Sequence, residues 1–159
     1  MCPWWRQVIG FVLLAISAVL AWWAVDVLLH EDRTMAIHRL NDEAERYAST
    51  LFFEKMNALA QVCIGLVGAA WAFLTLSDTK VRITGAETVM CFAAANISLV
   101  ISVVVYHVGY DFIVGRIFHH KAFDIDAPFV TKVNSLQQLT FLFGIVCLGL
   151  AAIFGSRKS

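Results

Sequence analysis

The sequence predicts an all-α integral membrane protein: a four-helix transmembrane bundle with an amphipathic helical extension before the second span. Three observations predict it. Of 159 residues, 60% are hydrophobic and 15% charged, with a mean hydropathy of +0.74, outside the range of ordinary soluble domains. Four apolar runs, 8–29, 56–76, 86–110 and 136–154, each come near or exceed the about 20 residues that a helix needs to cross about 30 Å of hydrocarbon. Tryptophan pairs stand at both ends of the first run. No internal repeat, low-complexity tract or linker divides the chain, so residues 1–159 are expected to form one four-span domain. The formal net charge of zero gives no basic excess and speaks against a nucleic-acid partner.

The first span, 8–29, is interrupted only by Gly10, Ser17 and Asp26. Trp4 and Trp5 precede it and Trp22 and Trp23 lie near its end, about 27 Å apart along a helix, a spacing that lodges rings at both membrane interfaces. A cleaved signal peptide is the weaker reading, because the run is longer than an h-region and no small-x-small site follows.

No glycine or proline occurs between Gly10 and Gly65, so ordinary polar residues at 30–34 must make the first turn. Beyond it, Ile37, Leu40, Ala44, Tyr47, Ala48 and Leu51 share one helical face, with Arg39, Asp42, Glu43, Glu45 and Arg46 on the other. Asn41 followed by two acids reads as a cap, so a helix is expected to run from there unbroken into the second span. The segment 41–55 is a solvated face or a docking surface for a partner.

The second span, 56–76, carries Gln61, Gly65, Gly68, Ala69 and Ala72 at helical spacing. Such a stripe lets another helix approach closely. The polar connection 77–84 ends in Thr84 and Glu87, the spacing of a capping box for the third span. In that span Asn96 and His107 are eleven residues apart, within about 20° of one another on a helix. Gly109 and Gly115 allow a bend before an interfacial or continuing helix at 112–118, and a loop is expected around Asp124, Asp126 and Pro128. The fourth span carries a second small-residue stripe of Gly144, Cys147, Ala151 and Gly155.

Positive charge sets the expected orientation. Arg6, Lys80, Arg82, Arg157 and Lys158 are concentrated near the termini and in the short loop, with Asp78 and Glu87 as the acids there. Both termini are therefore expected at the cytoplasmic face of the plasma (inner) membrane.

Chemistry-bearing residues gather on the opposite side. With four spans, His30, His38, His107, His119 and His120 all fall there, and residues 106–126 alone hold three of the five. Asp26 and His30, and His107 and Asp111, are i,i+4 pairs, each on one helix face. Imidazole backed by carboxylate suits a transition metal or a proton relay, so Asp26, His30, His107 and Asp111 form a candidate site with Asn96 beneath it. The plainer reading has them hydrated near the headgroups and Asn96 bonded between helices.

Cys63, Cys91 and Cys147 lie in apolar runs without CxxC spacing and read as packing residues. No nucleophile elbow, phosphate-binding loop or dinucleotide fingerprint is present. The expectation is thus a non-catalytic membrane subunit, without a cofactor, that forms a homo-oligomer or docks a membrane partner protein. Helix packing would run through Gln61, Gly65, Gly68, Ala72, Asn96, Gly144, Cys147 and Ala151. The alternative is a metal-binding or proton- or ion-conducting protein using the His/Asp cluster.

Overall fold

The computed structural model describes residues 3–30, 43–75, 85–120 and 127–156. They form four helices: α1 (Pro3–His30), α2 (Glu43–Thr75), α3 (Ala86–His120) and α4 (Pro128–Ser156). Each contains a stretch long and apolar enough to cross a membrane: Trp4–Leu29, Ser49–Ala72, Ala86–Gly115 and Pro128–Gly155. The turn at 30–34 beyond His30, the Asn41 and Asp42 cap, His38, Lys80, Arg82, Asp124, Asp126 and the basic tail lie outside the described residues.

The helix ends follow from local chemistry. Prolines open α1 and α4, where a missing amide costs nothing and the fixed φ suits the first turn. In α4 the Thr131 amide donates to the Ala127 carbonyl at 3.0 Å, so the helix starts well before the expected boundary at residue 136, and Pro128 belongs to it rather than to a loop. Phe129, Val130 and Val133 are buried and anchor that added turn.

In α3 the Thr88 and Val89 amides donate to the Gly85 carbonyl at 3.0 and 3.1 Å. The cap therefore falls at Gly85. Thr84 lies outside the described residues, and the Glu87 carboxylate is 4.0 Å from the Arg6 guanidinium of α1 rather than serving only its own helix. The Arg6 guanidinium also stands 5.3 Å from the Phe154 ring of α4, a cation–π distance. One arginine thus joins three helices at the end where α1 and α3 begin.

Helix α3 is the shared wall of the bundle. It packs along α4, α1 and α2, whereas α1 and α2 do not meet among the described residues. In cross-section α3 and α4 form the short diagonal of a diamond and α1 and α2 its far corners. The share of each span that is buried agrees: 44% for α3, against 22% for α2.

Glycines set how close the diagonal is. A Cβ on Gly144 would lie 2.7 Å from Leu99 Cγ and 2.8 Å from its Cδ2, and one on Gly109 would lie 2.6 Å from Val133 Cγ1. Gly109 is thus a contact point in a helix that continues to His120. The main core lies in the half towards His30 and takes Val27, Met56, Val105, Ile113 and Leu136 from all four helices. Towards the chain ends it narrows to α1, α3 and α4 around Cys91, Cys147 and Ala151.

Leu99 is fully buried, so it has no room to yield to a new methyl group. Gly144→Ala is expected to destabilise the fold by about 1–3 kcal/mol through overpacking, read as an earlier midpoint in a detergent-denaturation titration. Gly149, where a Cβ would meet nothing within 4 Å, is the control; equal midpoints for Gly144→Ala and Gly149→Ala would refute this account of the diagonal.

Candidate functional site

Polar side chains in this bundle fall into an inner set and an outer set. The inner set joins helices. Ser17 of α1 has its hydroxyl 3.1 Å from the Leu13 carbonyl, 3.2 Å from the Ala94 carbonyl and 3.3 Å from the Ser98 hydroxyl. Its single proton serves one carbonyl at a time. At the α2, α3 and α4 junction the Gln137 amide donates to the Met56 carbonyl at 2.9 Å, and the Ser102 hydroxyl donates to the Gln137 backbone carbonyl at 3.1 Å. The Thr140 hydroxyl turns back on Leu136 at 2.8 Å.

All of these side chains are buried. Among the described residues the buried Gln137 Oε1 and Thr88 Oγ1 atoms have no hydrogen-bond partner. Asn96 is half-buried: its Nδ2 donates to the Phe92 carbonyl at 2.8 Å, and its Oδ1 accepts from Trp71 Nε1 of α2 at 3.1 Å. This bond and the T-shaped contact of Trp71 with Phe92 fasten the end of α2 to α3.

Part of the outer set lies on α2, in a row of polar and small residues. Glu54, Ala58, Gln61, Gly65, Gly68 and Ala72 alternate by four and three residues, the spacing of a heptad seam, and every one of them is exposed. Nothing lies within 4 Å of a Cβ placed on Gly65 or Gly68. Beside the seam, Gln61 Nε2 donates to Asn57 Oδ1 at 3.4 Å. The packing face of α2 is a different one, made by Phe52, Met56, Ala60 and Cys63. Tyr47 and Leu51, described members of the amphipathic apolar face, are exposed, while Phe52, one position on, carries the contact.

The two small-residue stripes therefore part company. Gly144, Cys147, Ala151 and Gly155 on α4 are buried, with Leu99 and Ala95 of α3 against Gly144. Gln61, Gly65, Gly68 and Ala72 on α2 face away from the bundle. The buried Cys63, Cys91 and Cys147 are free thiols, and Cys63 is hydrogen-bonded with Ser102.

The His/Asp candidates are placed as follows. Asp26, His107 and Asp111 are all exposed near the same end of the bundle. The side chains of His30, His119 and His120 lie outside the described part. Among the described residues no group of three or more His, Cys, Asp or Glu side chains is arranged to hold a metal ion.

A second outer amide pair went unread in the sequence. On α4 Gln138 Nε2 donates to Asn134 Oδ1 at 2.8 Å, the same NxxxQ spacing as Asn57 and Gln61 on α2. The repeat of that four-residue spacing in two apolar spans is the signal that would have found it. Gln138 also lines an open groove of about 480 Å³ between α1 and α4. No protein-family model, curated protein sequence or solved structure matches the chain, so its function is argued from these surfaces.

Because Gln137 is fully buried and ties α4 to α2, Gln137→Ala is expected to destabilise the fold by about 2–4 kcal/mol through lost packing and a lost bond. Thermal unfolding followed by circular dichroism should show a lowered midpoint, with Gln7→Ala at an exposed position unchanged. A Gln137→Ala midpoint equal to wild type would remove this junction from the account of stability.

Proposed function

We propose that the chain is an integral membrane protein of the plasma (inner) membrane, crossing it four times with both termini cytoplasmic. It acts without catalysis, as a subunit that assembles with another copy or with a membrane partner through the outer face of α2. Four helices long and apolar enough to cross a bilayer support the first part. Exposed aromatic side chains add to it: Trp4, Trp5 and Trp71 lie at one end of the bundle and Trp22 and Trp23 towards the other, as interfacial rings do.

The observation that carries the assembly reading is the outward exposure of Gln61 and its neighbours near the middle of the α2 span. Hydrocarbon offers an amide no partner, and leaving one unmatched costs about 2–7 kcal/mol by transfer scales. A facing helix removes that cost, and it gains dispersion contacts where Gly65, Gly68 and Ala72 let backbones come close. Lipid chains gain little there, since a flexible chain must order itself to fill a shallow glycine notch. The low burial of α2, least of the four spans, leaves this face exposed.

Native mass spectrometry of the protein in a mild detergent tests the proposal. Wild type is expected as a defined complex, and Gly68→Leu as a dissociated chain of unchanged helix content, because nothing inside the bundle touches position 68. His107→Ala should leave the complex intact. An unaltered complex in Gly68→Leu would sink the α2 reading, and a stoichiometric metal lost in His107→Ala would favour a metal site at Asp26, His30, His107 and Asp111.

A further inference from the structure

We infer that copies of this chain associate head to tail, the outer face of α2 of one copy seating in the groove between α1 and α4 of the next. The inference rests on the assembly reading above and names its partner as a second copy.

The two surfaces lie on different sides of the bundle. Helices α1 and α2 occupy opposite corners and do not meet among the described residues, so the α1–α4 groove opens away from α2. Ile16 and Leu20 line it from α1, and Ser135, Gln138, Leu142 and Val146 from α4. A contact between two unlike surfaces of identical chains is heterologous, and it closes into a ring when the rotation allows.

Depth is what makes the two surfaces match. The bond from Gln137 Nε2 to the Met56 carbonyl places residue 56 of α2 within about one helical turn of residue 137 of α4 in depth, and the two helices run in the same direction. Copies related by rotation about the membrane normal keep every atom at its own depth. Adding the difference of 81 therefore gives, to about one turn, the level that each α2 residue meets on a neighbouring α4. Asn57 meets Gln138, and Gln61 meets Leu142.

The rest of the α2 seam follows the same offset. Gly65 falls level with Val146, Gly68 with Gly149 and Ala72 with Ile153. On α4 the positions 135, 138, 142, 146, 149 and 153 have heptad-like three- and four-residue steps, and all are exposed except the half-buried Gln138. Two seams of one period in one register are what interdigitating helices need: Val146 and Ile153 stand against the small Gly65 and Ala72, and Gly68 and Gly149 let two backbones come close. Leu142 is 60% and Val146 55% exposed, while Gly65 and Gly68 offer open space.

The amides complete the fit. Each NxxxQ pair spends one N–H and one carbonyl on its internal bond, leaving further N–H groups and carbonyl lone pairs on both sides. At a shared depth the Asn57 pair and the Gln138 pair are mutual donors and acceptors. A lipid chain in the groove would leave both sets unmatched.

Disulfide trapping decides it. Two differently tagged copies, both carrying Cys2→Ser, are co-expressed, one with Gln61→Cys and the other with Leu142→Cys, and the membranes are oxidised with copper phenanthroline. Cys63, Cys91 and Cys147 are fully buried and stay out of reach. A mixed-tag disulfide dimer is expected, with a ladder of higher species when one chain carries both substitutions. Replacing Leu142→Cys by Gly149→Cys, about 10 Å further along the helix, should abolish the product.

A Gln61→Cys copy that links only to another Gln61→Cys copy would overturn the head-to-tail arrangement and keep α2-mediated assembly. No mixed-tag product, with a complex still present in the native mass spectrum, would overturn this arrangement alone. No product together with a monomeric wild type would overturn both readings.

Discussion

The close approach of α3 and α4 is the constraint on which the rest of this bundle depends. Glycine at 144 and at 109 lets Leu99 and Val133 lie where a methyl group would otherwise stand. With that diagonal fixed, α1 and α2 each find a shallow valley between the same two helices, from opposite sides. Among the described residues neither has any other helix to rest on. Gly10 of α1 against Met90 of α3 repeats the device more loosely, with a Cβ there 3.1 Å from Met90 Cβ and 3.2 Å from its Sδ, of which only the sulfur can swing aside.

Polar groups divide by what they are asked to hold. Ser17, Ser98, Ser102 and Gln137 are buried and tie neighbouring helices together, while the buried Thr140 bonds back within α4. Their hydroxyls satisfy carbonyls that already belong to helical ladders, so each fixes rotation and register while adding little net energy. Arg6 does the same at the helix ends, between Glu87 and Phe154. The two NxxxQ pairs hold nothing across the described bundle, since each bonds within its own helix.

Composition and run length made the four apolar helices legible in the sequence, while the caps expected at Asn41 and Thr84 lie outside the described residues. Pro128 was read otherwise than the structure has it. It looked like loop punctuation after two aspartates, yet proline suits the first position of a helix as well as a turn, and only the burial of Phe129 and Val130 separates the two. Facing directions were far less legible. In a helix apolar on all sides, periodicity carries no information about which side is covered. Gly65 and Gly144 are alike on paper, and their difference lies in the neighbours: none for one, Leu99 for the other. Contacts such as Arg6 with Glu87 join positions far apart in the chain, and local spacing has no access to them.

The absence of contact between α1 and α2 also orders events in time. The two helices are made first, yet nothing in the described bundle binds them to each other. Among the described residues up to Thr75 the chain holds two helices without contact between them, and α3 is the first element to touch both. Then α1 and α2 acquire a common partner almost together, and α4 locks the arrangement by supplying Gly144 and Gln137. In the described bundle α3 is thus the element through which α1 and α2 come to belong to one structure.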